Sequence, residues 1–134
     1  MFAAGSYDEY VRLYDSRMLH RPLWNVYVGG GVWRIKWHPM FGKDDDGKYD
    51  KILVAAMHGG CRVVNCTGLG ARDSGRNESI NAEVVSSFTA HKSMAYGADW
   101  IWFDGQPDTL EAASSCSFYD RQVFMWCHEK FQIK

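Results

Sequence analysis

No run of about 18 apolar residues, the length that spans a bilayer as a helix, occurs anywhere in the sequence. The first residues show no basic segment leading into an apolar stretch, so no secretory signal is read. The chain is therefore expected to be soluble, unsecreted and cytoplasmic. The sequons at Asn65-Cys66-Thr67 and Asn77-Glu78-Ser79 are expected to stay bare. Charge of one sign is also missing: 15 Lys and Arg stand against 16 Asp and Glu, which argues against a nucleic-acid binder relying on a basic field. Among Cys61, Cys66, Cys116 and Cys127 there is no C-x-x-C pair. On a strand the spacing from Cys61 to Cys66 sends the two side chains to opposite faces, so buried, reduced thiols are expected and a zinc site is not. No metal or organic cofactor is implied. The G-x-S-x-G elbow is absent as well, which excludes the α/β-hydrolase nucleophile.

What the chain does have is aromatic side chains. Six Trp, seven Tyr and seven Phe favour strands over helices and are ample for a core. The stretch GGGVWRIKWHP, Gly29 to Pro39, has an equivalent in AYGADWIWF, Ala95 to Phe103. Each copy is followed by an apolar run, a short turn and a second apolar run, so the repeating unit is several short strands, as in a propeller blade.

Alternation and turn residues then divide the chain. Strands are expected at the start of Phe2 to Asp8, over Glu9 to Asp15, over Leu23 to Val28 and over Val32 to Trp37. In the last of these Trp33, Ile35 and Trp37 share one face, and Arg34 and Lys36 share the other, positioned to attract a carboxylate or to pair with acids of a neighbouring blade. Ile52 to Met57 is nearly continuous in apolar residues, the pattern of a strand buried on both faces. Cys61 to Cys66, Val84 to Phe88, Ala95 to Phe103, Leu110 to Ser115 and Arg121 to Cys127 complete the set, and the tail from His128 is expected to fray. Polar insertions are read at 40–51, where Asp44, Asp45 and Asp46 form a solvated tip, and at 67–82. Blade remnants fall at about 1–28, 32–88 and 95–127: the last three strands of one blade, all four of a second, and the first three of a third.

The expected fold is thus all-β, a propeller fragment of about three four-stranded blades in an incomplete ring. Propellers close with about four to eight blades, so two sheet flanks are left unpaired. With its opening Met inside a strand, the chain reads as a piece of a longer one, or as one that needs partners or self-association to supply blades.

Matched offsets make the chain resemble WD-repeat propellers. In that pattern a turn Asp precedes the aromatic that ends the third strand by six positions, as Asp8 precedes Tyr14 and Asp120 precedes Trp126. The middle blade departs, with Gly60 and Cys66 at those places. A Gly-His-like dipeptide lies nine positions ahead of a strand Trp, as Ala90-His91 does ahead of Trp100, whereas Val28 takes that place ahead of Trp37.

The strings GVWRIKWHP, YGADW and CSFYD, within GSYDEYVRLYDSR, GGGVWRIKWHP, HKSMAYGADW and SCSFYDRQVFMW, are more specific than the repeat. Through them the chain resembles the C-terminal part of the diphthine methyl ester hydrolase family, WD-repeat proteins of diphthamide biosynthesis. The resemblance implies hydrolysis of a methyl ester on the modified histidine of translation elongation factor 2, the protein substrate and partner, with no nucleic acid or membrane involved.

Ester hydrolysis needs an activated water or nucleophile, a base, and donors for the developing oxyanion. His91, Ser93, Tyr96 and Asp99 bring a base, a hydroxyl, a phenol and a carboxylate into nine residues at the mouth of an inner strand, and they are the candidate catalytic set. Each has a plainer role available: His91 tying a strand hydroxyl to Asp120, Ser93 capping a loop, Tyr96 packing, Asp99 pairing. His58, in a turn beside Gly59 and Gly60, is either a base or a solvated turn residue. Gly29, Gly30 and Gly31 either admit a substrate backbone or permit a tight link. The rival to catalysis is a WD-repeat scaffold that binds proteins without chemistry.

Overall fold

The computed structural model describes residues 1–43, 47, 50–69, 80–102 and 111–127. Ten strands run through them: β1 Phe2–Gly5, β2 Tyr10–Tyr14, β3 Trp24–Tyr27, β4 Arg34–Trp37, β5 Lys51–Ala55, β6 Cys61–Thr67, β7 Asn81–Phe88, β8 Gly97–Ile101, β9 Ala112–Ser117 and β10 Gln122–Cys127. They form three antiparallel sheets in the orders β1-β2-β3, β4-β5-β6-β7 and β8-β9-β10. Each sheet is a meander of sequential strands, with short turns joining β1 to β2, β5 to β6 and β9 to β10 and longer connections joining the others. The architecture is an incomplete propeller of three, four and three strands, as the repeat predicts.

Several boundaries move. Lys51 opens β5, Thr67 closes β6, and Asn81 and Ala82 belong to β7, so the edges of both polar insertions are strand. Pairing through Asn65↔Glu83, Cys66↔Ala82 and Thr67↔Asn81 is what extends the ladder, past a bulge between Val63 and Val64. Asp44, Asp45 and Asp46, the interior of the second insertion, Phe103, Leu110 and the tail from His128 lie outside the described residues.

The inner strands of the middle sheet, β5 and β6, are buried on both faces. Ile52 and Val54 of β5 enter one core with Val11, Leu13, Trp24 and Val64, while Leu53 and Ala55 enter the other with Cys61, Val63, Ala98, Trp100, Ala113 and Trp126. All four β5 side chains from Ile52 to Ala55 are inaccessible to water. That is the physical meaning of an uninterrupted apolar run: a period of two places successive residues on opposite faces, and here both faces are interior.

The interface between the middle and third sheets also carries polar joints. Lys51 Nζ lies 2.7 and 2.8 Å from the two Glu111 carboxylate oxygens, with both side chains largely withdrawn from water. His38 is buried edge-on to Trp100 at 4.8 Å, and the Trp100 indole N–H donates to the Lys36 carbonyl at 3.2 Å.

Two expectations about side-chain direction change. Trp33 precedes β4 and is 49% exposed; Val32 and Ile35 face the core instead, because the backbone from Gly29 to Trp33 is an irregular link in which strand alternation does not yet hold. The thiols divide: Cys61 and Cys66 are buried, and burial pushes them up to about 11 and about 12, but Cys116 and Cys127 are exposed. Cys116 and Cys127 share the third sheet with Val123 and Met125, which are also exposed. No blade follows to cover that sheet in the described residues. Among the described residues no helix is long and apolar enough to cross a membrane.

Candidate active site

The four residues singled out between His91 and Asp99 separate into two environments. His91 is fully withdrawn from water, and both of its ring nitrogens are engaged. Nδ1 lies 3.1 Å from Asp120 Oδ2 and Nε2 lies 2.9 Å from Ser115 Oγ, to which the Trp126 indole N–H also donates at 3.2 Å. Asp120 has no proton to give, so the network assigns the imidazole hydrogen to Nδ1 and leaves Nε2 to accept from Ser115. Burial acts to raise the Asp120 carboxyl, but hydrogen bonds from the Gln122 amide, His91 and the Lys92 amide outweigh it and hold the group below the usual range. The chain Trp126, Ser115, His91, Asp120 thus binds β9, β10 and the approach to β8 into one unit, and no lone pair of the imidazole remains for a substrate.

Asp99 is exposed and paired across blades. Its Oδ2 lies 2.8 Å from Lys36 Nζ on β4, and its Oδ1 accepts the Trp100 amide at 2.9 Å. Alternation turned Lys36 and Asp99 away from the core, and they meet because β4 and β8 are the leading strands of adjacent sheets.

Ser93 and Tyr96 lie at the opposite end of those strands. Ser93 is half-buried in the bend before Ala95, whose amide donates to the Met57 carbonyl at 2.9 Å. Tyr96 stands at the entrance to β8, edge-on to Trp33 with ring centroids 5.3 Å apart and tilted against Tyr119 at 6.0 Å. Desolvation and a hydrogen bond with Tyr119 raise the Tyr96 phenol above its ordinary value, so it stays a proton donor at neutral pH.

The same end gathers residues the sequence reading did not combine. Met57 joins Ala95 by an isolated antiparallel bridge, beyond which His58 continues on the side of Met94 and Tyr96 on the side of Ala56. His58 is 63% exposed, and its Nε2 lies 3.4 Å from Glu9 Oε1 in the turn before β2. Glu9 and Arg121 each follow a turn aspartate and take positive φ, 69° and 56°, so these two hairpin turns are built alike. In the middle sheet the turn is glycine: a Cβ on Gly59 would fall 2.5 Å from the Gly29 carbonyl oxygen, and one on Gly30 would overlap the Ala56 carbonyl. Gly29 to Gly31 therefore serve the tight link between strands. Along this rim His58, Ser93 and Tyr96 each lie within two residues of the Met57–Ala95 bridge. Among the described residues no three His, Cys, Asp or Glu side chains come together to hold a metal ion.

The chain is similar to proteins named diphthine methyltransferase. It is 39% identical over 118 residues to the one from Homo sapiens, a match covering 88% of this chain and 23% of that protein. Identity is 35% over 124 residues with the one from Schizosaccharomyces pombe, covering 92% of this chain and 32% of that protein. With the homolog from Dictyostelium discoideum it is 34% over 128 residues, covering 94% and 31%. The chain spans about a quarter to a third of the length of these curated relatives. No family model and no solved structure matches it.

Proposed function

Because the chain belongs to one family with the diphthine methyltransferase proteins, we propose that it serves diphthamide biosynthesis by hydrolysing the methyl ester of methylated diphthine on translation elongation factor 2, in the cytoplasm. The observation that carries this reading is a match over nearly the whole chain to proteins whose names join diphthine to a methyl group. Those names mention diphthine and a methyl group; the substrate protein and the direction, removal by water, are the finer parts of the proposal. In the reaction water adds to the ester carbonyl, the acyl–oxygen bond breaks, and methanol leaves with one of the water's protons. The other proton passes to the base, and a carboxylate remains.

Each need of that reaction has a residue on the rim. With Nε2 turned toward Glu9, His58 has Nδ1 free to accept a proton from water. The Tyr96 phenol, held protonated, is a donor for the developing oxyanion. Ser93 is the proposed second donor or nucleophile. His91 and Asp99 position: His91 fixes the segment that carries Ser93 and Tyr96, and Asp99 joins β8 to β4.

A second reading, a propeller that holds protein partners without chemistry, is favoured by one observation. His91 and Asp99, two of the four sequence-chosen groups, are committed to contacts within the chain. Mass spectrometry of elongation factor 2 bearing methylated diphthine, after incubation with the chain, separates the two. Hydrolysis predicts loss of one methyl group, slowed by about 100-fold or more in His58→Ala and Tyr96→Phe. An unchanged mass, or methyl gained by diphthine when a methyl donor is present, would overturn it.

A further inference from the structure

Four aromatic side chains cross the rim, and they occupy two repeated positions. Tyr7 and Tyr119 each directly precede a turn aspartate, Asp8 and Asp120. Trp33 and Tyr96 each stand four residues ahead of a strand tryptophan, Trp37 and Trp100. Tyr7 packs beside Gly31, where an added Cβ would lie 3.3 Å from its ring, so the row runs from Tyr7 past Gly31 to Trp33, Tyr96 and Tyr119.

These rings are costly to expose. Tyr7 is 71%, Tyr119 60% and Trp33 49% accessible, although each is large enough to contribute substantially to a core. The open flank does not explain it for Tyr7 and Trp33, which lie where the first and middle sheets meet. Phe118, Tyr119 and Val123 line a hollow of about 560 Å³ on the third sheet, so Tyr119 is shared between that hollow and the row.

The geometry suits a cation without hydrogen to donate. Trp33 and Tyr96 meet at 75° with centroids 5.3 Å apart, forming a corner, and Tyr119 adds a third wall at 49° to Tyr96. Aromatic faces carry negative potential and attract an ammonium group, and a quaternary ammonium most selectively, because it holds water weakly and makes no competing hydrogen bonds. The one lysine on β4, Lys36, is held by Asp99 and does not fill the corner.

We infer that Trp33, Tyr96 and Tyr119 form an aromatic cage for a quaternary trimethylammonium group, with Tyr7 at the end of the row. Diphthine carries such a group on the carbon next to its carboxylate, so the cage would hold the substrate with its ester beside the Tyr96 phenol and His58. In that form the inference rests on the diphthine reading above, and it adds the feature by which the substrate is recognised.

The test is a titration of the full chain with trimethylglycine and, separately, with tert-butylacetate, which has the same shape with carbon in place of the charged nitrogen. Binding is followed by isothermal titration calorimetry. The cage predicts that trimethylglycine binds about fivefold or more tightly than tert-butylacetate, and that Trp33→Ala removes this preference while Trp33→Phe keeps part of it. Equal affinity of the two probes for the unmodified chain would overturn the cage, and that comparison needs no variant to fold. Failure of the diphthine reading shows differently: selective binding of trimethylglycine with no methyl lost from elongation factor 2 keeps the cage and removes the hydrolysis. Methyl loss at unchanged KM in Trp33→Ala keeps the hydrolysis and removes the cage.

Discussion

Two histidines stand at opposite extremes of this small propeller. His91 is sealed inside the third blade with both nitrogens spent on Asp120 and Ser115, while His58 is exposed on the rim with a single acid, Glu9, beside it. The difference teaches where to look for chemistry on a repeat fold. A histidine at the position the repeat itself dictates is consumed by the blade, and one where the repeat is broken, here at the turn His58-Gly59-Gly60, stays exposed. The two regions are coupled all the same, because the segment fixed by His91 leads directly to Ser93 and Tyr96.

If the comparison is right, variants in the knot cost stability and variants on the rim do not. The largest effect is expected for Trp126→Ala, about 4 kcal/mol in urea unfolding, since it empties a core position and removes a donor to Ser115. His91→Ala follows at about 3 kcal/mol, because it removes one hydrogen bond from each of Asp120 and Ser115 and empties a fully buried site.

Acid should loosen the knot before the rim. Asp120 has a folded value lowered below that of the unfolded chain, so its stabilising contribution is fully present above the ordinary carboxylate range and is lost as pH falls through the lowered value. Unfolding midpoints measured from neutral pH downward should fall in that window, and Asp120→Asn should start less stable and show a flatter curve.

Smaller changes are expected outside the knot. Lys36→Met should cost less than about 1 kcal/mol, because the pair with Asp99 is half open to water and screened by salt. A larger loss would mean that the inner strands depend on this pair for their alignment. Trp33→Ala should shift stability by no more than about 0.5 kcal/mol, since half its surface is already in water. A thermal melt that drops sharply in this variant would make Trp33 a core residue and remove the contrast.

Much of the architecture was readable because each sheet is a local meander. Alternation and apolar runs placed all ten strands, and the resemblance to WD repeats anticipated that His91 ties a strand hydroxyl to Asp120, though not that the hydroxyl is Ser115 or that Trp126 donates to it. Direction at the strand entrances was not readable: Trp33 was assigned to the face of Ile35 and Trp37, but glycine linkage before β4 releases it to the rim. Contacts between sheets were equally hidden, since Lys51 and Glu111 are 60 residues apart and nothing in either local pattern announces the other. The exposed Cys116 and Cys127 depart from the usual burial of free thiols because burial depends on a neighbouring sheet, which local sequence does not record.

The central claim is that the rim exchanges a methyl ester for a carboxylate with water as the second reactant. Incubating the chain with methylated-diphthine elongation factor 2 in oxygen-18 water, then reading the modified peptide by mass spectrometry, tests it directly. Hydrolysis through the acyl carbon predicts that the methyl group is lost and one heavy oxygen appears in the new carboxylate, with unlabelled methanol released. A peptide that keeps its methyl, or loses it without taking up label, would contradict the account.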